Sequence, residues 1–126
     1  MLMSVAGLVL GAHLASLHSA GGLEPFNPGL YLRTESGFTA GVLRNSQSRT
    51  STYAGWTFET DSRQFALTVG GITGYPARPV MPLLVPSMRI GLSQWQPGAA
   101  LRVSYLPKPP KYGRSHALHF SVEREF

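Results

Sequence analysis

From residue 25 onward, apolar and polar residues alternate in short runs broken by turn residues, the period-two pattern of half-buried strands. Leu30 and Leu32 alternate with Tyr31 and Arg33, and Glu35-Ser36-Gly37 makes a turn. Phe38, Ala40 and Val42 follow, ending at Arg44-Asn45-Ser46-Gln47-Ser48. Thr52, Ala54, Trp56 and Phe58 then alternate with Ser51, Tyr53, Gly55, Thr57 and Glu59, and Asp61-Ser62 turns the chain again. Phe65, Leu67 and Val69 run into a stretch broken by Gly70, Gly71 and Gly74. The four prolines between Tyr75 and Pro86 are expected at edges or bends, because proline cannot donate to a sheet ladder. Strands around Leu84–Leu92, Ala99–Leu106 and His116–Phe126 complete this part of the chain.

The first twenty residues allow two readings. Val5–Leu10 resembles the apolar core of an export signal, but no Lys or Arg precedes it and His18-Ser19-Ala20 is a poor cleavage site. The reading taken is a first strand over Ala6 to His18, with Leu8, Leu10, Ala12 and Leu14 on one face, rather than a cleaved signal. The strand count becomes eight, without helical periodicity, repeats or low-complexity tracts. One all-β domain over residues 1–126 is expected, an eight-stranded antiparallel up-and-down barrel, the closure that removes sheet edges.

Composition then decides which kind of barrel. Charged residues make up 13% of the chain against about 25% in ordinary soluble domains. In the last strands Leu101, Val103 and Tyr105 alternate with Arg102 and Ser104, and Leu118, Phe120 and Val122 with His119, Ser121 and Glu123. A membrane barrel turns the apolar set outward and the polar set into its lumen. On that reading Arg33, Arg102, His119 and Glu123 lie inside, with Arg102 and Glu123 close on neighbouring strands. Arg124 falls on the apolar face and is tolerable only near an interface. The alternative is a soluble barrel with the apolar set inward and a ligand in its lumen.

Charge and chemistry narrow the functions further. The net charge of +5 is scattered along the chain, apart from Lys108-Pro-Pro-Lys111-Tyr-Gly-Arg114, so no nucleic-acid partner is expected. Dispersed arginines suit anionic lipid headgroups instead. The chain has no Cys, four His and six carboxylates, and no metal site or cofactor is expected. His18 closes the first strand and Asn45-Ser46 ends the third, so Ser–His chemistry at one rim is the remaining catalytic candidate, although Asn-Ser is also ordinary turn chemistry.

The order of His18, Asn45-Ser46, Pro79-Val-Met-Pro82-Leu-Leu-Val-Pro86-Ser, Ser104-Tyr105-Leu106-Pro107 and the last strand ending in Phe126 resembles the lipid A palmitoyltransferase (PagP-like) family. The resemblance is diffuse over most of the chain. It implies an outer-membrane barrel that moves an acyl chain from phospholipid to lipid A, working as a monomer with membrane lipid as its partner. It assigns His18, Asn45 and Ser46 to catalysis and Pro82 and Pro107 to lateral lipid access between strands; at such a rim site the headgroup is expected near Arg44 and Arg49. Asn45 stands where the family has Asp, and an amide cannot steady an imidazolium as a carboxylate does. The family's N-terminal amphipathic helix is also missing. A barrel that binds lipid or serves the envelope without catalysis is therefore the alternative reading.

Overall fold

The computed structural model describes residues 7–18, 26–45, 48–74, 79–106 and 117–126. They form eight strands: β1 (Val9–His18), β2 (Phe26–Arg33), β3 (Phe38–Arg44), β4 (Thr50–Glu59), β5 (Phe65–Ile72), β6 (Met81–Gly91), β7 (Ala99–Leu106) and β8 (Ala117–Glu125). Each pairs antiparallel with the next, and β1 pairs with β8, so the sheet closes into a barrel without helices among the described residues. The expected all-β architecture is the one observed.

Apart from one irregularity in β1, the strands keep inside–outside alternation, and the outward set is mainly apolar. Leu30, Leu32, Trp56, Phe58, Leu84 and Leu118 are exposed, whereas Ser16, Asn27, Arg33, Arg102, His119 and Glu123 are buried. This inverts a water-soluble core, in which polar side chains hold the surface. The soluble-barrel arrangement, with the apolar set inward, is not the one formed.

Two interruptions shape the ladders. In β1, His13 pairs with Ser121 and Ala15 with Phe120, leaving Leu14 as an extra residue in a β-bulge. Without it, strict alternation would turn Ser16 to the outside; with it, His13 and Ser16 both point inward. The second interruption concerns prolines. Pro82 and Pro86 were expected outside central strands, yet both lie within β6, which begins earlier than the hydrophobic pattern indicated. Among the described residues the β6–β7 ladder runs from Gly91↔Ala100 to Ser87↔Ser104, while Met81–Met88 pair with β5. Pro82 and Pro86 lie beyond that ladder, so their missing N–H groups interrupt no β6–β7 pair of the described residues.

Two tyrosine rings fill the space above glycines in the facing strand. A Cβ on Gly11 would lie 2.1 Å from Tyr31 Cζ, and one on Gly41 would lie 2.6 Å from the Tyr53 hydroxyl. Gly11→Val should therefore expel the Tyr31 ring and lower stability by about 1–3 kcal/mol, the usual range for overpacking. Denaturant titration of the detergent-solubilised protein measures it, and an unchanged midpoint would refute the packing.

Candidate functional site in the barrel lumen

Alternating in and out brings the inward side chains of the eight strands into two polar groups and one apolar wall. The rim formed by His18, Arg44, Thr50, Ile72, Met81 and Leu106 is called the upper rim, and the opposite end the lower rim.

The lower half is closed by charge. Glu123 Oε1 accepts from the Tyr31 hydroxyl at 2.6 Å and from Arg102 Nε at 2.7 Å. Glu123 Oε2 accepts from Arg102 Nη2 at 3.0 Å and from Arg33 Nη2 at 2.9 Å. Arg102 Nη1 also donates to Ser87 Oγ at 2.9 Å. Arg33 continues to Glu59 at 3.8 Å, Glu59 to Arg63 at 3.5 Å, and Arg63 to Glu125. Positive and negative groups thus alternate from the middle of the lumen to the lower rim, three of each. No buried side-chain polar atom among the described residues lacks a partner, which is what buried charge requires. The sequence placed Arg102 and Glu123 together inside, and the structure pairs them.

Above this plug lies a chain of neutral polar groups. Tyr53 Oη and His13 Nε2 are 2.8 Å apart, His13 Nδ1 and His119 Nε2 2.8 Å, and His119 Nδ1 and Ser16 Oγ 2.8 Å. Ser16 Oγ donates to Asn27 Oδ1 at 2.6 Å, and Asn27 Nδ2 donates to the Arg44 carbonyl at 3.1 Å. The last bond fixes the direction of all the others. Because Asn27 presents its amide N–H to a carbonyl, its oxygen faces Ser16 and takes the single hydroxyl proton. With both rings neutral, Ser16 then accepts from His119 Nδ1–H, His119 Nε2 from His13 Nδ1–H, and His13 Nε2 from the Tyr53 hydroxyl. Each imidazole carries one proton. The nitrogen facing Ser16 is the protonated one, so His119 cannot act as a base toward that hydroxyl in this state.

The remaining wall of the upper half is apolar. Leu43, Ile72, Met81, Leu83, Val85 and Leu106 occupy inward positions, and all except Met81 are only half-buried. The break between β6 and β7 adjoins this wall, since Val85 and Pro86 stand on one side of it and Tyr105 and Leu106 on the other.

The expected site residues are placed as follows. His18 ends β1 opposite Ala117, and Arg44 ends β3 opposite Thr50, so both strand ends reach the upper rim. Asn45 is buried there. Its Nδ2 donates to Ser51 Oγ and to the Gly74 carbonyl, both at 2.9 Å, and its Oδ1 accepts from Arg49 N at 3.1 Å. These bonds tie together the β3–β4 turn and the end of β5. Arg44 and Arg49 are exposed, Pro82 faces outward on β6, and Ser46 and Pro107 lie outside the described residues. Sequence reasoning did not single out His13, Ser16, Asn27, Tyr31 or Tyr53. Inward Tyr31 and Tyr53 were readable from alternation, but the bulge that turns Ser16 inward has no sequence signature.

No known family model matches the chain, and no curated protein matches it either.

The plug makes unequal demands on its members. Glu123→Leu leaves two buried guanidinium groups facing each other and should cost about 3–5 kcal/mol. Arg102→Leu should cost less, because Arg33 and Tyr31 still serve the carboxylate. Denaturant midpoints of the two variants in detergent give the order, and the reverse order would mean that Arg102 rather than Glu123 organises the cluster.

Proposed function

We propose that this chain is an outer-membrane barrel that receives a lipid acyl chain from the side, through the break between β6 and β7, into the apolar part of its lumen. The observation that carries the reading is the conjunction of three features: an apolar outer face, a ladder break at the prolines of β6, and an accessible apolar wall directly behind that break. An acyl chain lying in the surrounding bilayer needs no passage through water to reach such a space. Phe38, Trp56, Phe58, Phe65 and Phe126 are exposed at or near the lower rim, which fits the aromatic girdle of a membrane interface. Arg124 lies over the Phe126 ring at 5.3 Å, at a depth where an outward cation is cheap. Membrane lipid is then the partner, met by a single barrel.

Binding is the step these features support best. The resemblance to lipid A palmitoyltransferases adds transfer from phospholipid to lipid A, with His18, Asn45 and Ser46 reacting and Arg44 and Arg49 holding headgroups. Asn45 weighs against turnover. Its amide hydrogens serve Ser51 and Gly74, and it offers no carboxylate to a neighbouring imidazole.

The test uses phosphatidylcholine with a radiolabelled acyl chain and the detergent-solubilised full chain. Saturable binding is expected, reduced at least tenfold by Leu83→Trp, which fills the apolar wall without altering the outer face. Binding unaffected by Leu83→Trp would refute an acyl chain in the lumen. Label appearing on a lipid A acceptor, and lost in His18→Ala and Ser46→Ala, would establish the transferase in place of the binding barrel.

Membrane insertion has its own test. Leu30 is exposed in the middle of β2. Leu30→Arg should cost about 2–4 kcal/mol when the protein folds in bilayers, the value for a cation at the midplane. A cost near zero would mean that this face does not lie in lipid.

A further inference from the structure

The outward aromatic side chains of the lower rim leave one sector of the barrel uncovered. Phe38 on β3, Trp56 and Phe58 on β4, Phe65 on β5 and Phe126 after β8 are exposed. On β6 and β7 the outward positions nearest that rim are Ile90, Ala99 and Leu101. The turn joining these two strands, residues 92–98, carries Trp95, at 76% the most exposed large apolar side chain among the described residues. We propose that Trp95 anchors the β6–β7 turn in the headgroup layer of the lipid leaflet around the lower rim, where it closes the gap in the aromatic belt. The proposal rests on the reading of this chain as a membrane barrel and adds the side and depth at which one turn meets lipid.

The turn has a fixed backbone. The Leu92 carbonyl accepts from Trp95 N at 2.9 Å and from Gln96 N at 3.2 Å, and Leu92 N donates to the Ala99 carbonyl at 2.8 Å. Glu125 N donates to the Gly98 carbonyl at 3.0 Å, which ties the turn to the end of β8. Gly98 has a φ of +77°, and a Cβ there would come within 2.6 Å of the Glu125 carbonyl oxygen, so this close approach needs glycine. The indole is therefore held outward by a turn that is hydrogen-bonded on both sides.

Charge separates this turn from its neighbours. Leu92-Ser93-Gln94-Trp95-Gln96-Pro97-Gly98 contains no ionisable side chain, whereas the turn after β2 carries exposed Glu35 and the turn after β4 carries exposed Asp61. Of the three lower turns, it alone can enter the interfacial layer without desolvating a charge. Ser93, Gln94 and Gln96 are exposed and can exchange hydrogen bonds with headgroups. Trp95 suits the same layer, because an indole there withdraws its apolar body from water while its N–H still meets an acceptor. β6 and β7 also flank the proposed lateral opening, so an anchor at their lower end fixes the height of that opening against the acyl chains.

The test uses two single-tryptophan proteins: Trp56→Phe, which keeps Trp95, and Trp95→Phe, which keeps Trp56. Each full chain is refolded into phosphatidylcholine vesicles whose lipids carry bromine either near the ester end or near the methyl end of the acyl chain. Trp95 fluorescence should be quenched at least twofold more by the shallow bromines than by the deep ones. Aqueous iodide should quench it at least fivefold less than free tryptophan. Iodide quenching at the level of free tryptophan, with Trp56 still quenched by brominated lipid, would overturn the anchor, leave the membrane barrel standing and assign Trp95 to water or a protein partner. Stronger quenching of Trp95 by the deep bromines would overturn it as well, by placing the turn in hydrocarbon. Bromine quenching of neither indole would remove the membrane reading and the anchor with it. Trp95→Glu answers the question should Trp56→Phe fail to refold. Its folding equilibrium constant in the same vesicles, from urea titration, should fall at least tenfold, and an unchanged midpoint would rule the anchor out.

Discussion

Everything inside this barrel is arranged around one carboxylate. Glu123 on β8 accepts from two arginines and a tyrosine on two other strands, Tyr31 and Arg33 on β2 and Arg102 on β7. A narrow lumen lined with arginine alone would be driven apart by its own charge. With Glu123 at the centre and Glu59, Arg63 and Glu125 continuing the alternation, the lower half becomes a balanced ionic solid. Buried ion pairs seldom beat apolar packing in net stability. Their value here is registry, because one hand of the network fits only one set of strand pairings.

That registry matters because the outside of the barrel specifies little. Leucine and phenylalanine on an exposed outer face are nearly interchangeable, and a one-residue slip would be penalised mainly by what it did to the lumen. The two tyrosines covering Gly11 and Gly41 add a steric lock to the ionic one. The neutral chain from Tyr53 to Asn27 adds a directional one, since a single amide orientation decides the proton position on every member. Ionic, steric and directional constraints thus act at successive levels of the lumen, from the lower rim upward.

The sequence made the architecture legible because its period-two pattern is strong wherever a strand has one lipid-like and one polar face. Ala99–Leu106 is the clearest example, with the strand bounds observed as the pattern indicated. The face assignments of Arg33, Arg102, His119 and Glu123 followed from the same rule. Legibility failed where a strand departs from alternation. The bulge at Leu14 makes His13 and Ser16 share a face although they are three apart, and no residue type there announces it. The start of β6 was hidden by Pro82, since a proline argues against a strand unless one side of that strand is already unpaired. His18, Asn45 and Ser46 were chosen because strand ends can meet at a rim, yet hydrogen bonding gives Asn45 a structural task that its position alone did not reveal.

The prolines of β6 connect these strands of reasoning. A closed barrel has no edges, and that closure is what makes it safe in a membrane and also what would seal its lumen from the bilayer. Lateral entry needs a break in one ladder without loss of the ring. On the proposed reading Pro82 and Pro86 would meet both needs, because Met81–Met88 pair with β5 while the ladder with β7 stops, among the described residues, at Ser87↔Ser104. Below that point Arg102 on β7 reaches Ser87 on β6, so the plug itself holds the two strands together where the backbone resumes pairing. On that reading the break is confined from below by charge and faces the apolar wall. An opening made by weak pairing alone would have no fixed length, and the ionic network would set where this one ends.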